Sequence, residues 1–127
     1  MTYRFDPLDG LVVVRVRLYG PSGDVFARLA LDTGATSTLV SPELLTAIGY
    51  EPARSEKAVN VTTGSGVEAV PLVEVIRLEA LGTEMKNIVI LALNLPPTAT
   101  VDGVLGLDFF RHRLLTIDFR LGRIELQ

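Results

Sequence analysis

One stretch of sequence decides the fold: Phe26-Ala27-Arg28-Leu29-Ala30-Leu31-Asp32-Thr33-Gly34-Ala35-Thr36-Ser37-Thr38-Leu39-Val40. Its alternating, mostly apolar first half predicts a β-strand that enters a core and ends at the carboxylate of Asp32. Gly34 allows a sharp turn and the close approach of another segment. A carboxylate at the end of a buried strand costs free energy unless it is hydrogen-bonded or paired. Because Asp-Xaa-Gly also begins many ordinary turns, this stretch alone leaves open whether Asp32 is a turn residue or a functional acid.

Composition predicts one globular domain over residues 1–127, because 48% of the residues are hydrophobic and 21% are charged. A net charge of -3 and the lack of a basic patch argue against nucleic acid as a partner. Apolar runs such as Ile88–Leu93 are far shorter than the roughly 20 residues of a spanning helix, so we expect no membrane segment. The stretch Met1–Pro7 has no apolar region typical of a signal peptide, which predicts a cytoplasmic location.

Cysteine and histidine usage excludes several kinds of chemistry. The chain has no cysteine, which excludes disulfides and thiol catalysis. A zinc site built from His and Cys needs three or four ligands, and the only histidine is His112, so we expect no metal and no cofactor. His112 follows Phe-Phe-Arg and is predicted to be an exposed or half-exposed helix residue rather than part of a Ser-His-Asp triad.

The rest of the chain predicts an all-β fold with one or two short helices. Strands Leu11–Tyr19 and Val25–Leu31 are predicted to form a hairpin around the turn Gly20–Asp24, and Asp32 lies at the end of its second strand. Further strands are predicted at Lys57–Thr62, Val67–Leu81, Met85–Leu93, Val104–Leu105, Leu115–Phe119 and Arg123–Leu126. Helices are predicted at Ser41–Gly49, with Ser41 as the cap and Gly49 as the end, and at Leu107–Arg113.

A small polar tip joins two of these strands. Thr63-Gly64-Ser65-Gly66 connects Lys57–Thr62 to Val67–Val75, which is typical of a β-hairpin. Few apolar residues anchor the tip, so it should open easily, and mobile hairpins exclude water from many enzyme sites. The same pattern also fits an ordinary surface hairpin.

A second motif lies near the end of the chain: Val104-Leu105-Gly106-Leu107-Asp108-Phe109-Phe110. Two apolar residues before a glycine predict a short buried strand that another segment can approach closely. Together with Leu31–Ala35 and the glycine-tipped hairpin between them, this motif resembles the retropepsins, the single-domain aspartic proteases of retroviral type, and their bacterial members in particular. The resemblance covers Leu11 to Leu126. It implies an acid protease barrel, one lobe per chain, in a two-fold homodimer.

The resemblance implies roles for the matching positions. Asp32 would be the catalytic carboxylate, Thr33 would reach the partner's backbone, and Gly34 would help to orient Asp32. Substrate contacts would come from Ala35 and the hairpin tip, that is Thr62, Thr63, Gly64, Ser65 and Gly66. Support behind the catalytic loop would come from Val104, Leu105 and Gly106. The tip lacks the hydrophobic residues of viral flaps and the tyrosine of pepsin-like flaps. The resemblance therefore does not define how the tip contacts a substrate.

Peptide hydrolysis without a metal or a covalent nucleophile needs two carboxyl groups facing one water. The chain has one Asp-Thr-Gly, and neither Asp102, Asp108 nor Asp118 is followed by Thr-Gly or Ser-Gly. We expect Asp108 to cap the second helix or face solvent, and Asp118 to lie in a terminal strand. The second carboxylate is therefore predicted to be Asp32 of another copy. Strands Val12–Leu18 and Arg123–Leu126 are predicted to leave exposed edges that contribute to the dimer contact.

Two other functions are compatible with the sequence. One is a catalytically silent retropepsin-fold module that serves binding or dimerisation, because a fold does not determine function. The other is a ligand-binding β-barrel in which Asp32 is a polar anchor in an apolar pocket. The intact Asp32-Thr33-Gly34 triplet favours an endopeptidase. Apolar residues near Asp32, the hairpin and Ile90–Leu93 suggest that its substrate is an extended apolar peptide.

Overall fold

The computed structural model describes all 127 residues except for the side chain of Thr63. Short α-helices and a 3-10 turn at Pro52–Arg54 interrupt a chain made mostly of strands. In chain order the strands and helices are β1 (Thr2–Arg4), β2 (Val13–Gly20), β3 (Gly23–Leu31), β4 (Leu39–Val40), α1 (Pro42–Ala47), β5 (Ala58–Thr63), β6 (Gly66–Ala80), β7 (Thr83–Ala92), β8 (Gly103–Leu105), α2 (Leu107–Phe110), β9 (Leu115–Asp118) and β10 (Arg123–Leu126).

Six strands close into a barrel. Their order is β2-β3-β8-β4-β7-β6, and β6 pairs back onto β2 through Val16–Tyr19. The pairs β3–β8 and β4–β7 are parallel, and the other pairs are antiparallel. Strand β5 pairs with the first part of β6 and forms an arm outside the barrel. The predicted all-β fold with two short helices is confirmed.

The period-2 pattern of the strands places the core inside this barrel. On β2, Val14, Val16 and Leu18 are buried, whereas Arg15 between them is exposed. Leu45 of helix α1 and Ile48, which directly follows the helix, cover one side of the core, and α2 adds Phe109. All of these side chains belong to one hydrophobic cluster, so the barrel and both helices share a single core.

Tyr50 links two strands where the barrel closes. Its hydroxyl donates a hydrogen bond to the Tyr19 carbonyl at 2.6 Å and accepts one from the Ile76 amide at 2.9 Å. Burial raises the pKa of this phenol, with an opposing effect from the Ile76 N–H. The bridge therefore extends the β2–β6 contact beyond the end of its backbone ladder.

The chain ends form a separate three-stranded sheet, in which β10 lies between β1 and β9. The prediction that Arg123–Leu126 is an exposed edge is therefore wrong, because the polar residues Thr2–Arg4 form an unpredicted strand that pairs with it. The same prediction for Val12–Leu18 is also wrong, because β2 pairs with β3 on one side and, from Val16 onward, with β6 on the other.

Both helices are shorter than predicted. Helix α1 begins at Pro42 without a side-chain cap from Ser41, and it ends where Gly49 adopts a φ of +100° and donates to the Thr46 carbonyl. Helix α2 ends at Phe110, and His112 has a left-handed φ of 66°, so this exposed histidine lies in a turn rather than in the helix. Among the described residues, no helix is both long and apolar enough to cross a membrane.

We predict that Gly103→Ala destabilises the barrel. A Cβ at Gly103 would lie 2.0 Å from the Leu39 carbonyl oxygen, so β8 would have to move away from β4. The unfolding free energy should fall by about 3 kcal/mol, measured by urea denaturation at fixed protein concentration. The matched control is Gly10→Ala, because a Cβ added at Gly10 would have no neighbouring atom within 4 Å. Equal denaturation midpoints for the two variants would contradict the prediction.

Candidate active site

The Asp32 loop begins where β3 ends. The Asp32 amide donates to the Leu105 carbonyl at 3.0 Å, which ties the start of the loop to β8. The Gly34 amide donates to Asp32 Oδ1 at 2.9 Å, and the Ala35 amide donates to the Asp32 carbonyl at 3.2 Å. Asp32 is half-buried, while Thr33 and Gly34 are exposed. The carboxylate therefore has the hydrogen-bond partner that the sequence analysis required and is still partly accessible to solvent.

The second sequence motif packs directly behind this loop. The Leu107 amide donates to the Ala35 carbonyl at 2.8 Å. A Cβ at Gly106 would lie 2.7 Å from the Ser37 carbonyl carbon and 2.9 Å from the Ala35 oxygen, so only glycine permits this approach. Leu105 is fully buried and Val104 is half-buried. The structure thus brings Val104, Leu105 and Gly106 next to the Asp32 loop.

A buried hydroxyl that the sequence analysis missed connects the two motifs. Thr38 has 0% exposure, its hydroxyl donates to Asp108 Oδ1 at 2.7 Å, and the same oxygen accepts from the Gly106 amide at 3.1 Å. The Thr38 amide donates to Asp108 Oδ2 at 2.8 Å. Asp108 Oδ1 also accepts from the Phe109 amide in the first turn of α2 at 2.9 Å, as expected of a cap, whereas the alternative that Asp108 faces solvent is wrong because the residue is half-buried. The same carboxylate also holds the far end of the Asp32 loop, a role that the sequence analysis did not predict. The one sequence feature that indicated a buried hydroxyl here was the position of Thr38 directly before the apolar pair Leu39-Val40.

The hairpin of β5 and β6 carries the remaining predicted residues. Thr63 pairs with Gly66, which leaves Gly64 and Ser65 as a two-residue turn. Thr62, Gly64, Ser65 and Gly66 are exposed, and the Thr63 side chain lies outside the described part of the chain. Val67, just beyond the tip, is 71% exposed. The tip thus presents small and polar groups on an arm with few buried anchors.

The other candidate acids already have backbone partners. Asp102 Oδ2 accepts from the Arg28 amide at 2.8 Å. Asp118 accepts from the Leu121 and Arg120 amides in the β9–β10 turn, and these hydrogen bonds, the Leu121 one foremost, lower the pKa of its carboxyl. Across the described side chains, no group of three His, Cys, Asp or Glu residues could hold a metal ion.

A groove of about 650 Å³ lies between the terminal sheet and the barrel. Its lining includes Tyr3, Arg15 and Phe26 but none of Asp32, Thr33 and Gly34. Volume alone does not identify a catalytic site, and the two acidic residues that line the groove, Glu79 and Glu84, both pair with Arg77. We therefore place the candidate active site at the Asp32 loop.

Comparison with known proteins agrees with this geometry. A family model described as aspartyl protease matches residues 14–109. Among solved structures, a retropepsin-like aspartic protease from Rickettsia conorii is similar, with a TM-score of 0.72 at 16% sequence identity, over 99% of this chain and 90% of that chain. No curated protein sequence is significantly similar. The predicted resemblance to bacterial retropepsin-like proteins is confirmed, and at this identity the structural match establishes the fold.

We predict that Thr38→Val loosens the Asp32 loop. Valine has nearly the same shape but leaves the Gly106 amide without its acceptor and leaves Asp108 Oδ1 with the Phe109 amide as its remaining donor, and a buried unsatisfied group costs about 1–3 kcal/mol. The unfolding free energy should fall by about 2 kcal/mol or more in chemical denaturation. Thr46→Val on the exposed face of α1 is the control and should change it by less than about 0.5 kcal/mol. A Thr38 variant as stable as this control would rule out the linking role.

Proposed function

Because the chain belongs to the aspartyl protease family, we propose that it is an endopeptidase whose attacking water is activated by two Asp32 carboxylates, one from each subunit of a homodimer. The observation that carries this proposal is the placement of Asp32. Its backbone is fixed against β8, yet its carboxylate is only half-buried and its neighbours Thr33 and Gly34 are exposed. A single chain therefore offers half of a site, positioned rigidly and open on one side.

The reaction requires the two carboxyl groups to be in different protonation states. The ionised one accepts a proton from the water as its oxygen attacks the carbonyl carbon, and the neutral one donates a proton to the carbonyl oxygen. The C–N bond then breaks, and the leaving nitrogen takes up a proton. Two carboxylates about 3 Å apart do not both ionise readily, so the pair holds one proton between them, as aspartic proteases do in general.

The hydrogen bonds of the other candidate aspartates support another chain as the source of the second carboxylate. Asp102 binds the Arg28 amide, Asp108 binds Thr38, and Asp118 closes the β9–β10 turn. Each of these acids stabilises the fold through backbone N–H groups, and none of them is followed by Thr-Gly or Ser-Gly. A two-fold axis next to the exposed Asp32 loop would bring together two equivalent acids.

The neighbouring residues take supporting roles in this proposal. The Gly34 amide, hydrogen-bonded to Asp32 Oδ1, orients the carboxylate, and the exposed Thr33 hydroxyl reaches the partner's backbone. Ala35 and the hairpin tip from Thr62 to Gly66 would contact the bound peptide. Closure of this exposed arm over the substrate would exclude water other than the attacking one. The substrate is an extended peptide with apolar side chains.

We predict that Asp32→Asn keeps the fold and the dimer but abolishes cleavage, because an amide cannot accept the water's proton. Mixing equal amounts of variant and unaltered chains should leave about a quarter of the dimers with two Asp32 side chains, and activity should fall accordingly. Cleavage of a peptide library gives the activity, and analytical ultracentrifugation gives the oligomeric state.

The matched control is Asp9→Asn, which makes the same change at an exposed position and should leave cleavage unchanged. Full activity in a strictly monomeric species, or in the Asp32 variant, would contradict the proposed mechanism. A stable dimer that cleaves no peptide and is insensitive to a statine-type inhibitor would favour the silent binding module.

We predict a bell-shaped pH dependence of kcat/KM with its maximum on the acidic side, because the pair must hold a single proton. The measurement is the initial cleavage rate from about pH 3 to about pH 8. Acid could also loosen the fold. Asp118 has a lowered pKa, so its stabilising effect is present above its unfolded-state pKa and is lost as pH falls through its folded pKa.

Asp118→Asn distinguishes protonation of the proposed Asp32 pair from loss of stability through protonation of Asp118. The substitution removes the Asp118 carboxyl and leaves the proposed pair intact. The acidic limb of the profile should be the same in this variant. A rate that is constant from acid to alkali, or an acidic limb that disappears with Asp118, would exclude the carboxylate pair as the source.

A further inference from the structure

Three arginines line a pocket on the outer face of the β2–β3 hairpin, outside the Asp32 loop. The pocket has a volume of about 350 Å³ and is lined by Arg4, Val13, Arg15, Phe26, Ala27 and Arg28. None of these residues is acidic. It adjoins the groove of about 650 Å³, with which it shares Arg4, Val13, Arg15 and Phe26. We call these six residues the arginine pocket.

The arginines of this pocket differ from their neighbours in having no acidic partner. On the same part of the surface, Arg17 pairs with Asp24 at 2.6 Å, and Arg77 pairs with Glu79 and Glu84. Among the described side chains, Arg4, Arg15 and Arg28 form no ion pair within 4.0 Å. The positive charge of the pocket is therefore available to a ligand.

The pairing of the strands adds electrostatic repulsion. Arg15 lies directly opposite Arg28 in the β2–β3 ladder, and Arg4 lies opposite Arg123 in the β1–β10 ladder. Like charges directly opposite each other destabilise a sheet. Local conflicts of this kind are expected at functional sites, and an anion placed across the arginine pair would remove the repulsion.

The two central side chains are already held in place. The Arg15 guanidinium lies 3.8 Å from the centre of the Phe26 ring, which is 48% exposed. The Arg28 guanidinium donates to the Thr100 carbonyl at 3.3 Å. Groups that are ordered before binding lose less conformational freedom when a ligand arrives. A planar guanidinium can also bind a carboxylate through two parallel hydrogen bonds.

Strand β3 offers main-chain groups beside the pocket. On the side away from β2, β8 pairs only with Leu29–Leu31, and the Arg28 amide and carbonyl bind Asp102. Main-chain groups of a strand point alternately to its two sides, so those of Phe26 face the same way as those of Arg28. In the described structure no strand pairs with Phe26 on this side. An open edge of this kind can accept an extended peptide as an additional strand.

We propose that the arginine pocket binds an acidic, extended polypeptide segment, whose carboxylates pair with Arg15 and Arg28 while its main chain adds to β3 at Phe26. A polypeptide is favoured over nucleic acid because the open edge of β3 at Phe26 offers main-chain groups that pair with a polypeptide main chain. The site does not use the Asp32 carboxylate, so it stands apart from the proposed peptidase activity.

Fluorescence anisotropy tests the proposal with a labelled peptide of alternating Glu and Val residues, added to the full chain at low salt. The double variant Arg15→Gln/Arg28→Gln should bind it at least about tenfold more weakly. The matched control is Arg54→Gln/Arg120→Gln, which removes the same charge from side chains that are 83% and 84% exposed elsewhere. This control should bind within about twofold of the unaltered chain, and added salt should weaken binding to both.

The proposal would be overturned if the unaltered chain did not bind the peptide, if the two double variants lost the same affinity, or if a Lys-Val peptide bound equally well. Displacement of the labelled peptide by single-stranded DNA or inorganic phosphate, as effective as displacement by unlabelled peptide, would also overturn it. Arg15→Glu is a second variant that keeps the test valid if the double variant is poorly folded. It places opposite charges across the ladder, so its melting temperature should rise while binding is lost. Asp32→Asn should bind the peptide unchanged, which separates this test from that of the peptidase.

Discussion

The structure depends on the close approach of one short strand to its neighbours. β8 runs between β3 and β4, and Gly103 and Gly106 allow its backbone to contact Leu39 and Ser37 at distances that no side chain permits. This contact encloses the Thr38 hydroxyl, which then needs a partner because an unpaired buried polar group is costly. Asp108 supplies that partner. The conformation of the loop from Asp32 to Thr38 is thus determined by a segment far away in the sequence.

The same contact explains why the Asp32 loop has a defined conformation and yet leaves its carboxylate half-buried. Both ends of the Asp32 loop are fixed by hydrogen bonds to the segment from Leu105 to Asp108, so the carboxylate has a defined direction. That direction leaves it half-buried in one chain. The proposed mechanism requires a second acid and the exclusion of bulk water, and neither is found beside Asp32 in a single barrel. A second copy against the exposed loop would supply both.

Sequence patterns predicted what is local and missed what is distant. The alternation of β2, the turn before β3 and the glycine after α1 each reflect a preference of a few adjacent residues, and all were found. Thr2–Arg4 has no such pattern and forms a strand only because β10 lies beside it. Thr38 and Asp108 bind each other across 70 positions, and the left-handed turn at His112 has no glycine to indicate it. These features are set by tertiary contacts rather than by local preference.

Strand β3 connects the two sites, since it contributes Arg28 and Phe26 to the arginine pocket and ends at Leu31, directly before Asp32. A strand rises about 3.3 Å per residue, so Arg28 and Asp32 are separated by no more than about 13 Å along it. A polypeptide held at the open edge of β3 would therefore keep its adjoining residues close to the Asp32 loop. Tethering of this kind raises the effective concentration of a neighbouring segment without any new contact at the second site. In the proposed enzyme, acidic residues would be bound and apolar residues cleaved in different parts of one substrate, because the two proposed sites contact separate stretches of its chain.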